Sequence, residues 1–256
     1  MFSIANISKP QILVNEKDFI LVYKPPRMHS APHKNSNGVT ILDWCSAEFP
    51  EIAELPGRKP GEGGLLHRLD YETQGLMLLA RNAVGMKALL EQQNEGKIIK
   101  EYSALTTESK TLLPGFPSID EYMVSNFSRE GAEKNMVLPS QIKSAFRPYG
   151  PGRKAVRPIL VDKDESEKHG ELYTTEILES RLASDTGIIS FRLRIKKGFR
   201  HQIRVHLAWL GQPILNDSLY GGISFGNGLL ALRASSISFS DPASGEERCY
   251  SIPYFE

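Results

Sequence analysis

The sequence of 256 residues contains few cysteines, no excess of either charge and no long apolar run. Its two cysteines, Cys45 and Cys249, are far apart and lack the spacing of metal ligands, which is typical of buried thiols in a reducing compartment. No apolar run approaches the roughly 20 residues of a membrane span, and the first residues lack the basic and apolar regions of a signal peptide. We therefore expect a cytoplasmic protein that does not contact a membrane.

Charge is nearly balanced, because 31 basic and 30 acidic residues leave a formal net charge of +1. The overall charge therefore does not indicate a polyanionic partner, and any nucleic acid would have to bind a local cluster of basic groups. The sequence also lacks a glycine-rich phosphate loop and the spacing of zinc ligands. With 40% hydrophobic and 24% charged residues, the chain is long enough for one large domain or two small ones.

The stretch 65–81 combines chargeable groups with a buried strand. Its apolar run, Leu76–Ala80, predicts a strand covered on both faces, and Gly75 allows the backbone to turn just before it. Arg68 and Asp70 precede this run, in a loop of the kind that commonly carries catalytic groups. Taken alone, these two residues are more typical of a surface ion pair or of a pair that braces the loop, which contributes less than about 1 kcal/mol.

Short strands and helices are predicted on both sides of this stretch. The predicted elements of the first half are two strands in 11–24 around a turn at 15–18, helices over 39–49 and 82–95, and a strand over 98–106. In the last strand, Lys100, Tyr102 and Ala104 fall on one face because strand side chains alternate.

The second half contains a basic region of one sign. Strands are predicted over 174–182 and 188–197, and helical spacing after residue 198 would bring Arg200 and Arg204 one turn apart. No acidic residue interrupts the basic ones between 192 and 206, a pattern that favours phosphate oxygens.

Residues 107–173 predict hairpins and loops. Their basic stretch is expected to be exposed and is more typical of a solvated loop than of an RNA contact; it comprises Arg147, Arg153, Lys154 and Arg157.

Motifs in both halves resemble those of the RluA-type family of RNA pseudouridine synthases. The first is His67-Arg68-Leu69-Asp70-x-x-Thr73-x-Gly75-Leu76, and the second runs from Gly198-x-x-His201-Gln202-Ile203-Arg204 to Asp217-x-x-Tyr220-Gly221. A Lys24-Pro25 pair and Lys100-x-Tyr102-x-Ala104 add to the match, which covers roughly 11–106 and 174–253. The resemblance implies an α+β fold, with a mixed, mostly antiparallel sheet and helices packed on it.

The same resemblance implies catalytic roles for three residues. Asp70 corresponds to the family's catalytic aspartate, Tyr102 to the tyrosine that lies over the target base, and Arg204 to the arginine that pairs with that aspartate. Arg68 would fill the gap that a flipped base leaves. RNA-binding roles are also assigned to His67, Lys24, Lys100, Arg200, His201 and Gln202.

The resemblance implies that the protein converts a uridine in RNA to pseudouridine. The expected partner is ribosomal or transfer RNA, and the reaction requires no metal ion and no other cofactor. We expect a monomer with a single catalytic domain over 1–256 and no separate N-terminal RNA-binding domain, since a strand starts near residue 11. Two departures from the family pattern, at Gln74 and at Phe199–Arg200, affect the expected substrate more than the expected chemistry.

Two other functions fit part of the sequence. A glycoside hydrolase also acts at C1′ of a sugar but needs two carboxylates about 5 to 9 Å apart, and Glu72 is a poor partner for Asp70 because the two are alternate neighbours on one loop. A catalytically silent RNA-binding module of the same fold is opposed only by the presence of Asp70. Within the synthase hypothesis, Asp70 either attacks C1′ or removes a proton from C2′, and the sequence leaves both roles open.

Overall fold

The computed structural model describes residues 8–32, 38–118, 139–160 and 170–255. The chain divides into two compact units, Met1–Ser103 together with Leu232–Phe255, and Ala104–Ala231. Each unit has its own cluster of buried apolar side chains. The single catalytic domain expected over 1–256 stays a prediction.

The strands share an extended backbone and, in chain order, are β1 Gln11–Asn15, β2 Phe19–Lys24, β3 Gln74–Ala80, β4 Ile99–Thr107, β5 Gln141–Tyr149, β6 Ala155–Ile159, β7 Tyr173–Ala183, β8 Ile188–Ile195, β9 Leu232–Ser240 and β10 Glu247–Ser251. The α-helices of the described residues are α1 Ile41–Glu48, α2 Glu51–Glu54, α3 Ala83–Asn94 and α4 Gln202–Trp209. A 3-10 turn at Pro151–Arg153 joins β5 to β6.

In the first unit the strand order is β1-β2-β3-β9-β4, and β10 also pairs with β9. The pairs β1–β2, β2–β3 and β9–β10 are antiparallel, whereas β3 and β9 are parallel. The parallel contact is short, with Gln74 opposite Arg233 and Gly75 opposite Ala234. The sheet is therefore mixed and mostly antiparallel, as predicted.

Buried apolar runs place β2 and β3 at the centre of the first unit, where every residue of both strands is buried. Phe19 of β2 meets Phe239 of β9 edge to face, with ring centroids 5.0 Å apart. From α3, Met86 and Leu89 pack into the same core. Each such side chain contributes about 1.5 to 3 kcal/mol through its removal from water, which is why these strands form the rigid base of the unit.

The first-unit helices begin where the sequence supplies a capping side chain. Thr40 starts α1 with a capping box, in which its hydroxyl accepts from the Asp43 N–H and the Asp43 carboxylate accepts from the Thr40 N–H. Asn82 starts α3 by accepting from the Gly85 N–H at 2.8 Å. Gly96 follows that helix with a φ of 70°, as expected for a glycine that terminates a helix. The helices predicted over 39–49 and 82–95 are thus confirmed.

The second unit contains an antiparallel series in which β7 pairs with β8 and with β5, and β5 pairs with β6. Its core is formed where α4 packs through Val205, Ala208 and Trp209 against apolar side chains that include Ile142 and Val156. The β7–β8 and β5–β6 hairpins confirm the predicted pair of strands and the predicted hairpin character of the preceding region.

Two local expectations in this unit were wrong. The helix does not extend back to Arg200, because His201 has a left-handed backbone with a φ of 59° and α4 begins only at Gln202. Arg200 and Arg204 therefore do not lie one helical turn apart. Arg157, expected to be exposed, is 6% exposed because its guanidinium is enclosed by carbonyl groups and aromatic rings.

Over the described ranges, none of the helices is both long enough and apolar enough to cross a membrane.

Candidate active site

His67 joins the Asp70 segment to strand β3. Its Nε2 accepts a hydrogen bond from the Leu78 N–H at 3.2 Å, in the place where a backbone carbonyl would otherwise continue the pairing. Burial, followed by the charges of Lys100 and Arg58, lowers the pKa of His67 to about 3. The neutral ring keeps the lone pair that this bond requires. His67 is only 7% exposed, and its hydrogen bond to β3 gives the buried ring a structural role. Its RNA-binding role stays a prediction.

The residues on either side of Asp70 are held by an upstream loop. The Ser30 hydroxyl donates to the Leu69 carbonyl at 2.8 Å and accepts from the Leu69 N–H at 3.0 Å. On the other side, the Tyr71 carbonyl accepts from the Met28 N–H at 3.3 Å. The backbone is thus fixed both before and after the carboxylate, which limits how far Asp70 can move.

Lys24 supports the same loop from inside. Its residue is fully buried, and its ammonium group donates to the carbonyls of Pro25 at 2.8 Å, Met28 at 2.7 Å and Tyr71 at 3.2 Å. Burial lowers the pKa of Lys24 to about 7, against the opposing effect of the Asp70 and Glu72 charges. Because the three N–H bonds already have carbonyl partners, the structure gives Lys24 a role in organising the loop. Its contact with RNA stays a prediction.

The charge of Asp70 acts on the phenol of Tyr102. Asp70 is half-buried, and Tyr102, on β4, is 6% exposed. Burial raises the pKa of Tyr102, and the negative charge of Asp70 raises it further. The phenol therefore stays protonated at neutral pH. This arrangement supplies a carboxylate together with a neutral aromatic ring that can stack on a base and donate one hydrogen bond.

Lys100 lies two residues before Tyr102 on the same strand and is 3% exposed. Its ammonium lies 3.5 Å from the Gln93 amide oxygen, and burial, with a smaller effect of Arg58, lowers its pKa to about 8. Like Lys24, it is an internal cation, and its RNA-binding role stays a prediction.

Arg68 is the outward-facing cation of the first motif. Its side chain is 58% exposed and lies 3.3 Å from the Glu62 carboxylate. Glu72 is engaged on the exposed side of the loop, where its carboxylate lies 3.6 Å from Arg27. That ion pair agrees with the expectation that Glu72 does not serve as a second catalytic carboxylate beside Asp70.

In the second unit, Arg204 is bound by an acid that the sequence analysis did not assign. The Nε and Nη2 atoms of Arg204 donate to the two carboxylate oxygens of Asp217 at 2.7 and 2.8 Å. Both side chains are buried, at 8% and 0% exposure. The Arg204 guanidinium also lies over the Tyr220 ring, 5.1 Å from its centroid. The pairing of Arg204 with Asp70 that the family resemblance implies concerns both units and stays a prediction.

Tyr220 also fixes the start of α4. Its hydroxyl lies 2.8 Å from Nδ1 of His201 and accepts from the Val156 N–H at 3.0 Å. The bond to His201 helps to hold that residue in its left-handed backbone conformation, which is costly for a residue with a side chain. His201 is half-buried, so its predicted contact with RNA remains open.

The remaining predicted RNA-binding residues, Arg200 and Gln202, differ in accessibility. Gln202 is 2% exposed and is used internally, accepting from the Phe199 N–H and donating to the Thr174 carbonyl. Arg200 is exposed, and its Nη2 donates to the carbonyls of Arg153 at 2.8 Å and Ala155 at 3.2 Å.

Sequence reasoning missed Ser30, Asp217 and Tyr220 as site residues. Asp217 and Tyr220 stood in the second motif without a role, and their position there was the available signal. Ser30 had no signal, since nothing in the sequence predicts that its hydroxyl meets a residue 39 positions later. Within the described part of the chain, no group of three or more histidine, cysteine or acidic residues could hold a metal ion.

Comparison with known proteins decides the family. The model of the RNA pseudouridylate synthase family matches residues 18–209, which include Asp70, Tyr102 and Arg204. The chain belongs to the RNA pseudouridylate synthase family. The resemblance inferred from its two motifs is thereby confirmed.

Relatives within this family include proteins named ribosomal large subunit pseudouridine synthase D. The Haemophilus ducreyi protein is 28% identical over 211 residues, which cover 82% of this chain and 52% of the relative. The Escherichia coli protein is 26% identical with the same coverage, and the Vibrio parahaemolyticus protein is 25% identical over 256 residues, covering 94% of this chain and 66% of the relative. The chain thus spans between half and two thirds of the length of these relatives.

Solved structures of other pseudouridylate synthase domains share the fold. Human RNA pseudouridylate synthase domain containing 1 aligns with a TM-score of 0.60 and 19% identity over 97% of this chain and 85% of its own. Human RNA pseudouridylate synthase domain containing 4 aligns with a TM-score of 0.58 and 18% identity over 95% and 88%. The predicted α+β class is confirmed for this chain.

Proposed function

We propose that this protein is an RNA pseudouridine synthase that isomerises a uridine in ribosomal RNA to pseudouridine, with Asp70 as the catalytic carboxylate. One observation carries the proposal: in a chain of this family, Asp70 lies half-buried on a loop whose backbone is fixed on both sides. Fixing a catalytic group in this way contributes to rate, because the reacting atoms then need little further ordering.

In the proposed reaction the bond between C1′ of the ribose and N1 of uracil breaks, the base turns, and a bond from C1′ to C5 forms. The C5 proton leaves to solvent and N1 gains a proton, so atoms and electrons balance without a redox partner. Asp70 acts either by attack on C1′ or by removal of a proton from C2′, and both roles require the ionised carboxylate. A uridine inside a helix is out of reach, so the target is unpaired or flipped out.

Tyr102 and Arg204 support the carboxylate in this proposal. The Tyr102 ring, neutral at physiological pH, holds the uracil by stacking and donates its hydroxyl hydrogen. Arg204 takes the third catalytic role that the family resemblance implies, and its bidentate contact with Asp217 orients the guanidinium. Arg68, which is exposed, occupies the space that the flipped base leaves.

The names of the relatives favour large-subunit ribosomal RNA over transfer RNA as the substrate. A protein that modifies this RNA in a bacterium works in the cytoplasm, and we propose that it does so as a monomer. The proposed location follows from the proposed substrate.

Tritium release from RNA labelled at C5 of uridine tests the proposal. The probe is large-subunit ribosomal RNA transcribed in vitro, and transfer RNA serves as the second substrate. We expect release with the wild type, a loss of at least about 100-fold for Asp70→Asn, and nearly unchanged release for Glu72→Gln, whose exposed ion pair contributes little.

Each outcome of the tritium assay tests a different part of the proposal. Release from transfer RNA alone would contradict the ribosomal substrate, and equal release by wild type and Asp70→Asn would contradict the role of Asp70. If neither the wild type nor Asp70→Asn released label from these RNAs or from any cellular RNA pool, the result would favour the silent RNA-binding module.

A further inference from the structure

A group of exposed cations surrounds the tip of the β5–β6 hairpin. We name it the basic hairpin cluster and define it as Arg147, Arg153, Lys154 and Arg200. All four are exposed, and Arg200 is attached to the hairpin by its hydrogen bonds to the Arg153 and Ala155 carbonyls. The described residues 139–160, which contain the hairpin, include no aspartate or glutamate.

Among the described residues, no carboxylate forms an ion pair with any member of this cluster. Most other arginines are paired with an acid. The paired arginines are Arg27, Arg68, Arg81, Arg181, Arg192, Arg194, Arg204 and Arg248. The protein has a net charge of only +1, and most arginines outside the hairpin are paired with an acid. The hairpin is therefore a local concentration of positive charge.

The hairpin also sets two arginines opposite each other, since Arg147 on β5 pairs with Arg157 on β6. Like charges in this position destabilise a pair of strands. The charge of Arg147 contributes, after burial, to the lowering of the Arg157 pKa. An arrangement that costs stability in the free protein is relieved when a polyanion binds.

Contacts of Arg157 and Tyr220 hold the backbone of the hairpin that carries these cations. The Arg157 guanidinium donates to the Pro114 carbonyl at 2.7 Å and lies 4.3 Å from the ring centroid of Tyr149 and 4.9 Å from that of Phe116. The Tyr220 hydroxyl accepts from the Val156 N–H, which ties β6 to the network around Arg204. The exposed cations are therefore presented by a fixed backbone, which lowers the entropy lost on binding.

We propose that the basic hairpin cluster binds the sugar–phosphate backbone of RNA. Three of its four members are arginines, whose planar fork of N–H groups matches two phosphate oxygens at once. Phosphate contacts position a protein on nucleic acid without reading sequence, so the cluster sets the orientation of the RNA rather than the choice of uridine. This proposal rests on the proposed function, which is the reason for naming RNA rather than another polyanion as the ligand.

Binding of a fluorescein-labelled RNA hairpin of about 20 nucleotides, followed by anisotropy between 50 and 200 mM KCl, tests the proposal. The variant is Arg147→Gln/Arg153→Gln/Lys154→Gln. Arg200 is left unchanged because it also supports the hairpin backbone. The matched control is Lys9→Gln/Lys17→Gln/Lys59→Gln, which removes the same charge from exposed positions of the first unit.

Each phosphate contact contributes about 0.7 to 0.9 to the slope of log affinity against log salt, so the hairpin variant should lose about 2 from the slope. We also expect its affinity at 100 mM KCl to fall roughly 10-fold or more, with the control within about twofold of wild type. Thermal unfolding should be nearly unchanged in the control, because its substituted side chains are exposed, and should rise slightly in the hairpin variant, because Arg147→Gln removes a like charge opposite Arg157.

Three results would overturn the proposal. The first is an unchanged salt slope in the hairpin variant. The second is a loss of RNA affinity in the control variant as large as that in the hairpin variant. The third is a hairpin variant that no longer binds phosphatidylserine vesicles but binds RNA as the wild type does. Tritium release at saturating RNA separates this inference from the proposed function. If the wild type binds through the cluster but releases no label, the cluster stands and the proposed activity fails; if the variant releases label at the wild-type rate once saturated, both stand.

Discussion

The hydroxyl of Ser30 satisfies both backbone groups of Leu69, the residue directly before the proposed catalytic carboxylate. It donates to the carbonyl at 2.8 Å and accepts from the N–H at 3.0 Å, and both residues are buried. The Ser30 side chain therefore satisfies both backbone groups of Leu69, as hydrogen bonds to a neighbouring strand do elsewhere in the fold. The placement of Asp70 depends on this contact as well as on β3, the strand that follows its loop.

Replacing Ser30 with alanine should lower kcat by roughly 10-fold and leave KM for RNA within about twofold, because a small displacement of a reacting group is costly while binding contacts are unchanged. Ser30→Thr keeps the hydroxyl and should restore most of the activity. Steady-state tritium release measures both constants. Wild-type kcat in Ser30→Ala would show that Asp70 is held without this hydroxyl.

The buried pair of Arg204 and Asp217 should be among the more sensitive positions of the second unit. Asp217→Asn removes the charge from a bidentate contact whose side chains are 8% and 0% exposed, and should lower the free energy of unfolding by roughly 3 kcal/mol. We also expect kcat to fall, since the Arg204 guanidinium loses its orientation.

Urea unfolding measures this loss, and Glu179→Gln serves as the control. Glu179 pairs with the exposed Arg181, and its substitution should cost less than about 1 kcal/mol. Equal effects of the two substitutions would contradict a special role for the Arg204–Asp217 pair.

Gly75→Ala should disrupt the short parallel contact between β3 and β9. The glycine has a φ of 127°, and an added Cβ would lie 2.3 Å from the Ala234 carbonyl oxygen and 2.6 Å from its nitrogen. We expect a loss of about 3 kcal/mol or more in the free energy of unfolding. Gly187 has a φ of 67° and open space around it, so Gly187→Ala should cost only about 1 kcal/mol. Chemical denaturation of both variants checks the difference.

His206 should make the protein sensitive to acid. Its ring is buried between the hydroxyls of Ser144 at 3.0 Å and Thr175 at 2.8 Å, and burial lowers its pKa to about 3. Between this value and the ordinary 6.5, the unfolded chain binds a proton that the folded protein does not. The contribution is therefore complete above about pH 6.5 and is lost as the pH falls, at about 1.4 kcal/mol per pH unit.

Urea unfolding at several pH values between 4 and 6.5 tests this prediction by comparing slopes. His206→Gln should show a shallower decline than the wild type by about 1.4 kcal/mol per pH unit, since glutamine does not titrate. Identical slopes would mean that His206 is protonated in the folded protein.

Sequence patterns predicted the local elements well where a local cause determines them. The apolar run after Gly75 and the helical spacing within 39–49 and 82–95 act over a few residues, and the structure has β3, α1 and α3 at those places. The first motif likewise identified the Asp70 loop, and the comparison with known proteins confirmed the family.

Contacts between distant segments could not be predicted in this way. The left-handed backbone of His201, which delays the start of the helix to Gln202, is supported by a hydroxyl from Tyr220, and the burial of Arg157 depends on rings from Phe116 and Tyr149. Nothing in a local pattern indicates that a cation in a basic stretch will be enclosed. The buried positions of Lys24 and Lys100 have the same origin, because long stems allow charged groups to be carried inside.

The insertion of β9 between β3 and β4 has a consequence for synthesis of the protein on the ribosome. The strand that neighbours both the Asp70 loop and the Tyr102 strand is translated more than a hundred residues after them. A nascent chain that has emerged only as far as β8 still lacks the middle of this sheet. The Asp70 loop and the Tyr102 strand therefore cannot take their places on either side of β9 until that strand has been synthesised.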